Sequence, residues 1–209
     1  MAAAIGALAV NGAVASASIA DSGSAVNLAA AASAARPAAQ DPDTEITKEC
    51  VQASPDLPDP PSWRPGVRFD LDAQNGFLVI RNDQYARVCV VKDGKGTFTY
   101  SVNERHVYGN LTAERPFDYL SSYNFDYPAT ESVHFGIVTN DVTAVSLVGP
   151  DKSVTPAVVR DGTFYAKSNF PESPYVSTTN YVRTTLKDGR VIEGPFRSYA
   201  APPTGGEIS

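Results

Sequence analysis

Phe135-Gly136-Ile137-Val138-Thr139-Asn140-Asp141-Val142-Thr143-Ala144-Val145-Ser146-Leu147-Val148 is the stretch on which the fold class turns. Its β-branched and apolar residues fall into two runs, 133–138 and 142–148, each of strand length and too short for a free-standing helix. Downstream, candidate strands lie at 154–160, 163–167, 181–186 and 190–193, with Gly149-Pro150-Asp151, Asp161-Gly162 and Asp188-Gly189 between runs as hairpin tips. Upstream, after Trp63, further runs occupy 67–71, 76–81, 85–91 and 97–102, and Asn75-Gly76 and Asp93-Gly94 read as turn signals. In the last of these Phe98, Tyr100 and Val102 share one strand face, and Thr97, Thr99 and Ser101 the other. No segment of helical period separates the strands, which argues against βαβ units. The expected fold is mostly β, a sandwich or open barrel built from two small antiparallel units with disordered N- and C-terminal tails. The units are placed at 63–130 and, Ig-like, at 131–199, with 200–209 as a disordered tail; residues 113–120 read as one short helical turn.

Composition breaks near Gln40. Ala fills 18 of the first 40 positions, while all 20 aromatic residues come later, so the front cannot build a core. Residues 1–20 read as a signal-like segment, apolar and followed by Ala-x-Ala-like sites at Ala13 to Ala15, Ala15 to Ala17 and Ser18 to Ala20, without a preceding Lys or Arg. Asn11 and Gly12 interrupt that run, so no membrane span is expected in it. Residues 21–62 read as an Ala/Pro-rich linker, extended through Pro55-Asp56-Leu57-Pro58-Asp59-Pro60-Pro61. The 17 basic residues are scattered against 23 acidic ones, for a net charge of −6, which excludes an electrostatic footprint for nucleic acid or anionic lipid.

Cys50 and Cys89 are the two cysteines of the chain. An even count beside a signal-like front favours a disulfide formed in an oxidising compartment, the alternative being two buried thiols that act as small hydrophobes. Neither a CxxC pair nor Cys/His spacing for zinc is present.

The run 135–148, followed by Asp161-Gly162-Thr163-Phe164-Tyr165 and Leu186-Lys187-Asp188-Gly189-Arg190-Val191, resembles a module of exported actinobacterial proteins. That module has a Gly-rich entry, a V-x-x-V-x-L strand, a variable hairpin, a (D/N)-G-x-F strand and a closing D-G-R turn. The entry through Cys50, Pro60-Pro61-Ser62-Trp63 and Cys89 is similar too, so the resemblance spans about two thirds of the expected folded region. It implies an extracytoplasmic β domain and carries over no functional residue, because the shared motifs are structural.

Chemistry-bearing residues are few. His106 or His134 could pair with Glu104 or Glu131 as the base of a hydrolase, but no nucleophile elbow accompanies them, and Walker, dinucleotide-binding, H-E-x-x-H and S-x-x-K motifs are absent. Asp70-Leu71-Asp72-Ala73-Gln74-Asn75-Gly76 fails as a calcium loop, since Asn75 stands where the glycine belongs and Arg81 where a bidentate Glu belongs. The best candidate is the aromatic cluster of Phe117, Tyr119, Tyr123, Phe125 and Tyr127, interleaved with Asp118, Ser121, Ser122, Asn124 and Asp126. Such rings offer flat apolar faces to a glycan or an extended peptide. The competing reading makes them a cap on the core between the two β units. The functional expectation is an exported, non-enzymatic binding module at the cell envelope, with an envelope protein or glycan as partner and no cofactor or metal. An envelope-polymer hydrolase and a purely structural surface protein are the rivals.

Overall fold

Along the sequence, fully apolar runs and alternating runs take different places in the fold. The computed structural model describes residues 41–100, 111–125, 131–170 and 180–196. Along them come a helix, α1 (Pro42–Gln52), a 3-10 turn at Pro60–Ser62, and strands β1 (Arg64–Asp70), β2 (Gly76–Arg81), β3 (Ala86–Lys92) and β4 (Lys95–Tyr100). There follow β5 (Phe117–Asn124), β6 (Ser132–Val138), β7 (Val142–Val148), β8 (Val154–Pro156), β9 (Val158–Arg160), β10 (Thr163–Ser168), β11 (Tyr181–Leu186) and β12 (Val191–Pro195). They form three open four-stranded sheets, ordered β1-β2-β3-β4, β5-β6-β10-β9 and β12-β11-β7-β8. Neighbouring strands pair antiparallel throughout, and no sheet closes into a barrel. The fold is therefore mostly β, of the sandwich kind.

The sheets stack. Phe77 and Val79 of β2 join Val88 of β3 and Leu120, Val133, Phe135 and Ile137 in one core between the first and second sheets. Leu78 and Ile80, on the other face of β2, pack with Cys89, Val91 and the α1 residues Ile46, Cys50 and Val51. On β6 the same division holds: Val133, Phe135 and Ile137 face the first sheet, while Val138 joins Val145, Leu147, Phe164 and Val182 in the core shared with the third sheet. All seven residues of β6 are buried. A strand with two buried faces can carry apolar side chains on both, as Phe77-Leu78-Val79-Ile80 of β2 does; β6 instead alternates, with buried Ser132, His134 and Gly136 on the face opposite Val133, Phe135 and Ile137. The layers thus run α1, first sheet, second sheet, third sheet.

The second and third sheets carry the strand order of an immunoglobulin-type sandwich, A-B-E-D in β5-β6-β10-β9 and G-F-C in β12-β11-β7. Ala157 alone separates β8 from β9, so the chain passes there from the third sheet to the second. Two hairpins turn on Asp-Gly pairs with both residues at positive φ, Asp93 and Gly94 at 52° and 74°, and Asp161 and Gly162 at 50° and 70°. This is the primed turn that matches strand twist.

Three expectations are corrected. Residues 42–52, placed in the 21–62 linker, are helical: Asp41 Oδ1 accepts from Asp43 N at 3.1 Å as an N-cap, and Pro42 opens the first turn. The helix is too short to persist alone, and it is held by burial and by the Cys50–Cys89 disulfide, which spans 39 residues. The division at residue 130 is also replaced, because β5, upstream of it, pairs along its length with β6, downstream. The second β unit accordingly starts at Phe117 and shares a core with the first sheet. Finally, the expected helical turn at 113–120 gives way to β5 from Phe117 onward. The tail at 200–209 and the signal-like segment at 1–20 lie outside the described residues.

α1 is fitted closely. Glu49 Oε2 accepts from Gly96 N at 2.7 Å, and Ser54 Oγ from Thr99 N at 3.1 Å, so the helical segment engages β4 amides. A Cβ on Gly96 would stand 2.4 Å from the Ile46 carbonyl oxygen, so only glycine allows this approach. At its other end Asp43 is gripped by Arg68 Nη1 at 3.0 Å and Arg160 Nη1 at 2.9 Å, the latter from β9 of the second sheet.

Candidate binding site

β5 decides which aromatic rings reach solvent. Its register with β6 shifts between Tyr119 and Ser121, so Leu120 is the extra residue of a bulge. Before the bulge Phe117 and Tyr119 oppose Val138 and Gly136 and point toward the third sheet. After it Tyr123 opposes Val133 and points toward the first sheet. One inserted residue exchanges the faces of everything beyond it.

The expected aromatic cluster is therefore divided. Phe117 and Tyr119 are buried, Tyr119 with its ring edge-on to Phe196 at 4.8 Å and its hydroxyl donating to Ser122 Oγ at 3.0 Å. Tyr123 and Phe125 lie together at 5.6 Å, and Tyr123 packs on Phe77 at 4.9 Å. Phe125 continues the chain of rings to Phe69 at 6.2 Å, with Lys167 Nζ over its face at 5.2 Å. Tyr127 lies outside the described residues.

Beside Tyr123 the face of the first sheet is left open as a groove of about 390 Å³. Phe77 and Val90 floor it, Tyr100 walls it, and Leu71, Phe98 and Tyr123 rim it with side chains 41%, 51% and 39% exposed. Leu71, Phe98 and Phe77 were not singled out from the sequence as site residues. The usable signal was the shared face of Phe98 and Tyr100, which puts both opposite Val90 and Val88 on the side toward the second sheet. Polar groups are sparse: the Asn75 amide is committed to Asp72 Oδ2 at 2.9 Å, leaving the Lys92 ammonium at the margin. Asp72 itself accepts from Gln74 N and Asn75 N at 2.8 Å, and hydrogen bonding, chiefly from the Asn75 side chain, holds its carboxyl below the usual range. That loop is a turn lock, and among the described residues no group of three acidic, His or Cys side chains could hold a metal ion.

The Tyr100 hydroxyl is buried, drawn toward Ser121 but without an aligned hydrogen bond, and burial pushes its pKa up to about 12. An unfolded tyrosine ionises near pH 10. The neutral phenol thus contributes stability that is complete below about pH 10 and drains away as pH rises toward about 12. Ultraviolet titration of the folded protein is expected to show one tyrosine ionising late, and Tyr100→Phe to remove that step and flatten the alkaline fall in stability. A late step surviving the substitution would locate it elsewhere.

Of the two histidines, His134 is fully buried on β6, its Nε2 2.7 Å from Ser132 Oγ and its ring edge-on to Phe196 at 5.6 Å. Ser132 Oγ also donates to the Phe170 carbonyl at 2.9 Å, so this Ser/His pair belongs to an internal polar network and faces no cleft. His106 and Glu104 lie outside the described residues, and Glu131 pairs with Lys167 at 3.9 Å. Comparison with protein-family models, with curated proteins and with solved structures finds no match, which leaves the site's own chemistry to speak for function.

Proposed function

We propose that the protein is an exported, non-enzymatic binding module of the cell envelope, and that the Leu71–Phe98–Tyr123 groove receives apolar side chains of an envelope protein. The observation that carries this reading is the trio of exposed apolar side chains around the buried Phe77 ring. Contiguous apolar surface of this kind marks contact sites, and aromatic anchors dominate their energetics. A glycan would need several fixed hydrogen-bonding groups, whereas the lining here is almost wholly carbon. The disulfide is consistent with an extracytoplasmic location, and among the described residues no helix is long and apolar enough to cross a membrane.

The test is retention of the folded protein on separated envelope protein and on purified envelope polysaccharide. Phe98→Ser and Tyr123→Ala are each expected to weaken retention on the protein fraction about tenfold or more, the scale of a contact hot spot, with the melting curve little changed. Equal retention of the variants would defeat the proposal. Retention on polysaccharide alone, lost in Tyr123→Ala, would move the ligand to a glycan.

A further inference from the structure

At the other end of β5, before Phe117, lies a second concavity of about 440 Å³. It opens between the β6–β7 loop and the β11–β12 loop, the two connections that sit together at one end of an immunoglobulin-type sandwich. The loops are tied: Lys187 N donates to the Asp141 carbonyl at 2.8 Å, and Thr139 N to the Pro116 carbonyl at 3.0 Å. These two ties run through main-chain atoms and so do not occupy the Asp141 and Lys187 side chains.

Its chemistry is divided in a specific way. Pro116 and Leu186 are buried and, with the half-buried Leu111, make an apolar floor. Asp141 and Lys187 stand exposed at the rim, and among the described residues neither side chain makes a hydrogen bond or ion pair. Arg190 is already engaged, its Nε donating to Asp188 Oδ2 at 2.7 Å, while it also feels the charges of Glu114 and Asp141. Asp141 and Lys187 thus place an anion and a cation, neither in a hydrogen bond or close ion pair among the described residues, at the rim of an apolar floor in a single cleft.

We propose that this cleft binds a zwitterionic ligand, a short peptide with free ends and apolar side chains. Asp141 receives its ammonium, Lys187 its carboxylate, and Leu111, Pro116 and Leu186 its side chain. The site is independent of the aromatic groove: seven residue steps along the chain from Pro116 to Tyr123 span about 23 Å.

The experiment is titration of the whole protein with L-leucyl-L-leucine, followed by calorimetry and by NMR. Saturable binding is expected, weakened about tenfold or more by Asp141→Asn and by Lys187→Gln, and unchanged by Tyr123→Ala. N-acetylation of the dipeptide should remove the contribution of Asp141, so that Asp141→Asn costs nothing further; amidation of its carboxyl end should do the same for Lys187. No saturable binding, equal affinity for the doubly blocked dipeptide, or a loss in Tyr123→Ala would overturn the proposal. So would preferential binding of a neutral oligosaccharide such as chitotetraose, which would change the ligand class. Both substituted residues are exposed surface side chains, and an unchanged amide spectrum outside the cleft would exclude misfolding as the cause of any loss.

Discussion

Replacing Cys50 and Cys89 together by alanine is expected to lower stability by about 4 kcal/mol, the loop-closure value for a crosslink spanning some 40 residues. For a folded region of this size, that corresponds to a fall in Tm on the order of 10 °C. The loss should be concentrated in α1. The helix is below the length at which helices persist in water, and Cys50 is the residue that fixes it covalently to β3. The two thiol positions are both fully buried between α1 and the first sheet, so alanine also leaves unfilled space. Hydrogen exchange offers a local readout: the Gly96 and Thr99 amides, whose partners are Glu49 and Ser54, should lose protection well before those of β6. A loss below about 1 kcal/mol, or one spread evenly over all three sheets, would show that the bond does not organise the helix. Urea denaturation of oxidised and doubly substituted protein, compared at constant m-value, makes the measurement.

Phe135→Ala is expected to cost about 3–5 kcal/mol, the range for truncating a fully buried phenylalanine. Few side chains are placed so centrally. Phe135 has no exposed surface and sets its ring edge-on to both Phe77 at 5.5 Å and Phe69 at 6.5 Å, across the boundary between the first two sheets. Its loss leaves a void that the paired β6 backbone cannot collapse to fill, because β6 is hydrogen-bonded on both sides, to β5 and to β10. Against a typical total of about 5–15 kcal/mol, this approaches the limit of folding. Urea denaturation of the variant measures it, and a cost under about 1.5 kcal/mol would mean that the first two sheets do not share one packed core. Phe98→Ser, half exposed at the groove, serves as the comparison and should cost far less.

Much of the strand pattern was legible because hairpin physics is local. The runs at 76–81, 142–148 and 181–186 coincide with β2, β7 and β11, and the Asp93-Gly94 and Asp161-Gly162 tips turn as their residue types dictate. The run at 154–160 reads as a single strand but serves two sheets, a change of partner at Ala157 that no periodicity reports. α1 was hidden for a related reason. Asp41 and Pro42 are proper start signals, yet the helix that follows is short, mostly polar and flanked by prolines, and its stability comes from Cys89 and Leu78, far along the chain. The candidate site was legible in part. Tyr123 and Phe125 do face the first sheet, but Tyr119, which strict alternation places with them, lies on the opposite face because of the Leu120 bulge. An inserted residue is invisible in an alternation pattern, since it alters which residues share a face without altering which residues are apolar. The groove's other walls come from β2 and β4, brought beside Tyr123 only by stacking of the sheets.

The two-sided burial of β6 bears on cooperativity. Val133, Phe135 and Ile137 supply apolar surface to the core on one face of the second sheet and Val138 to the core on the other, so loss of that strand opens both. The meander of β1 to β4 and the sandwich from β5 onward are thus halves of one melting unit. Heat or urea should dissolve them in a single transition, seen alike by far-ultraviolet circular dichroism and by Trp63 fluorescence. A fragment cut between β4 and β5 would expose, on each side, a face built to be covered by the other.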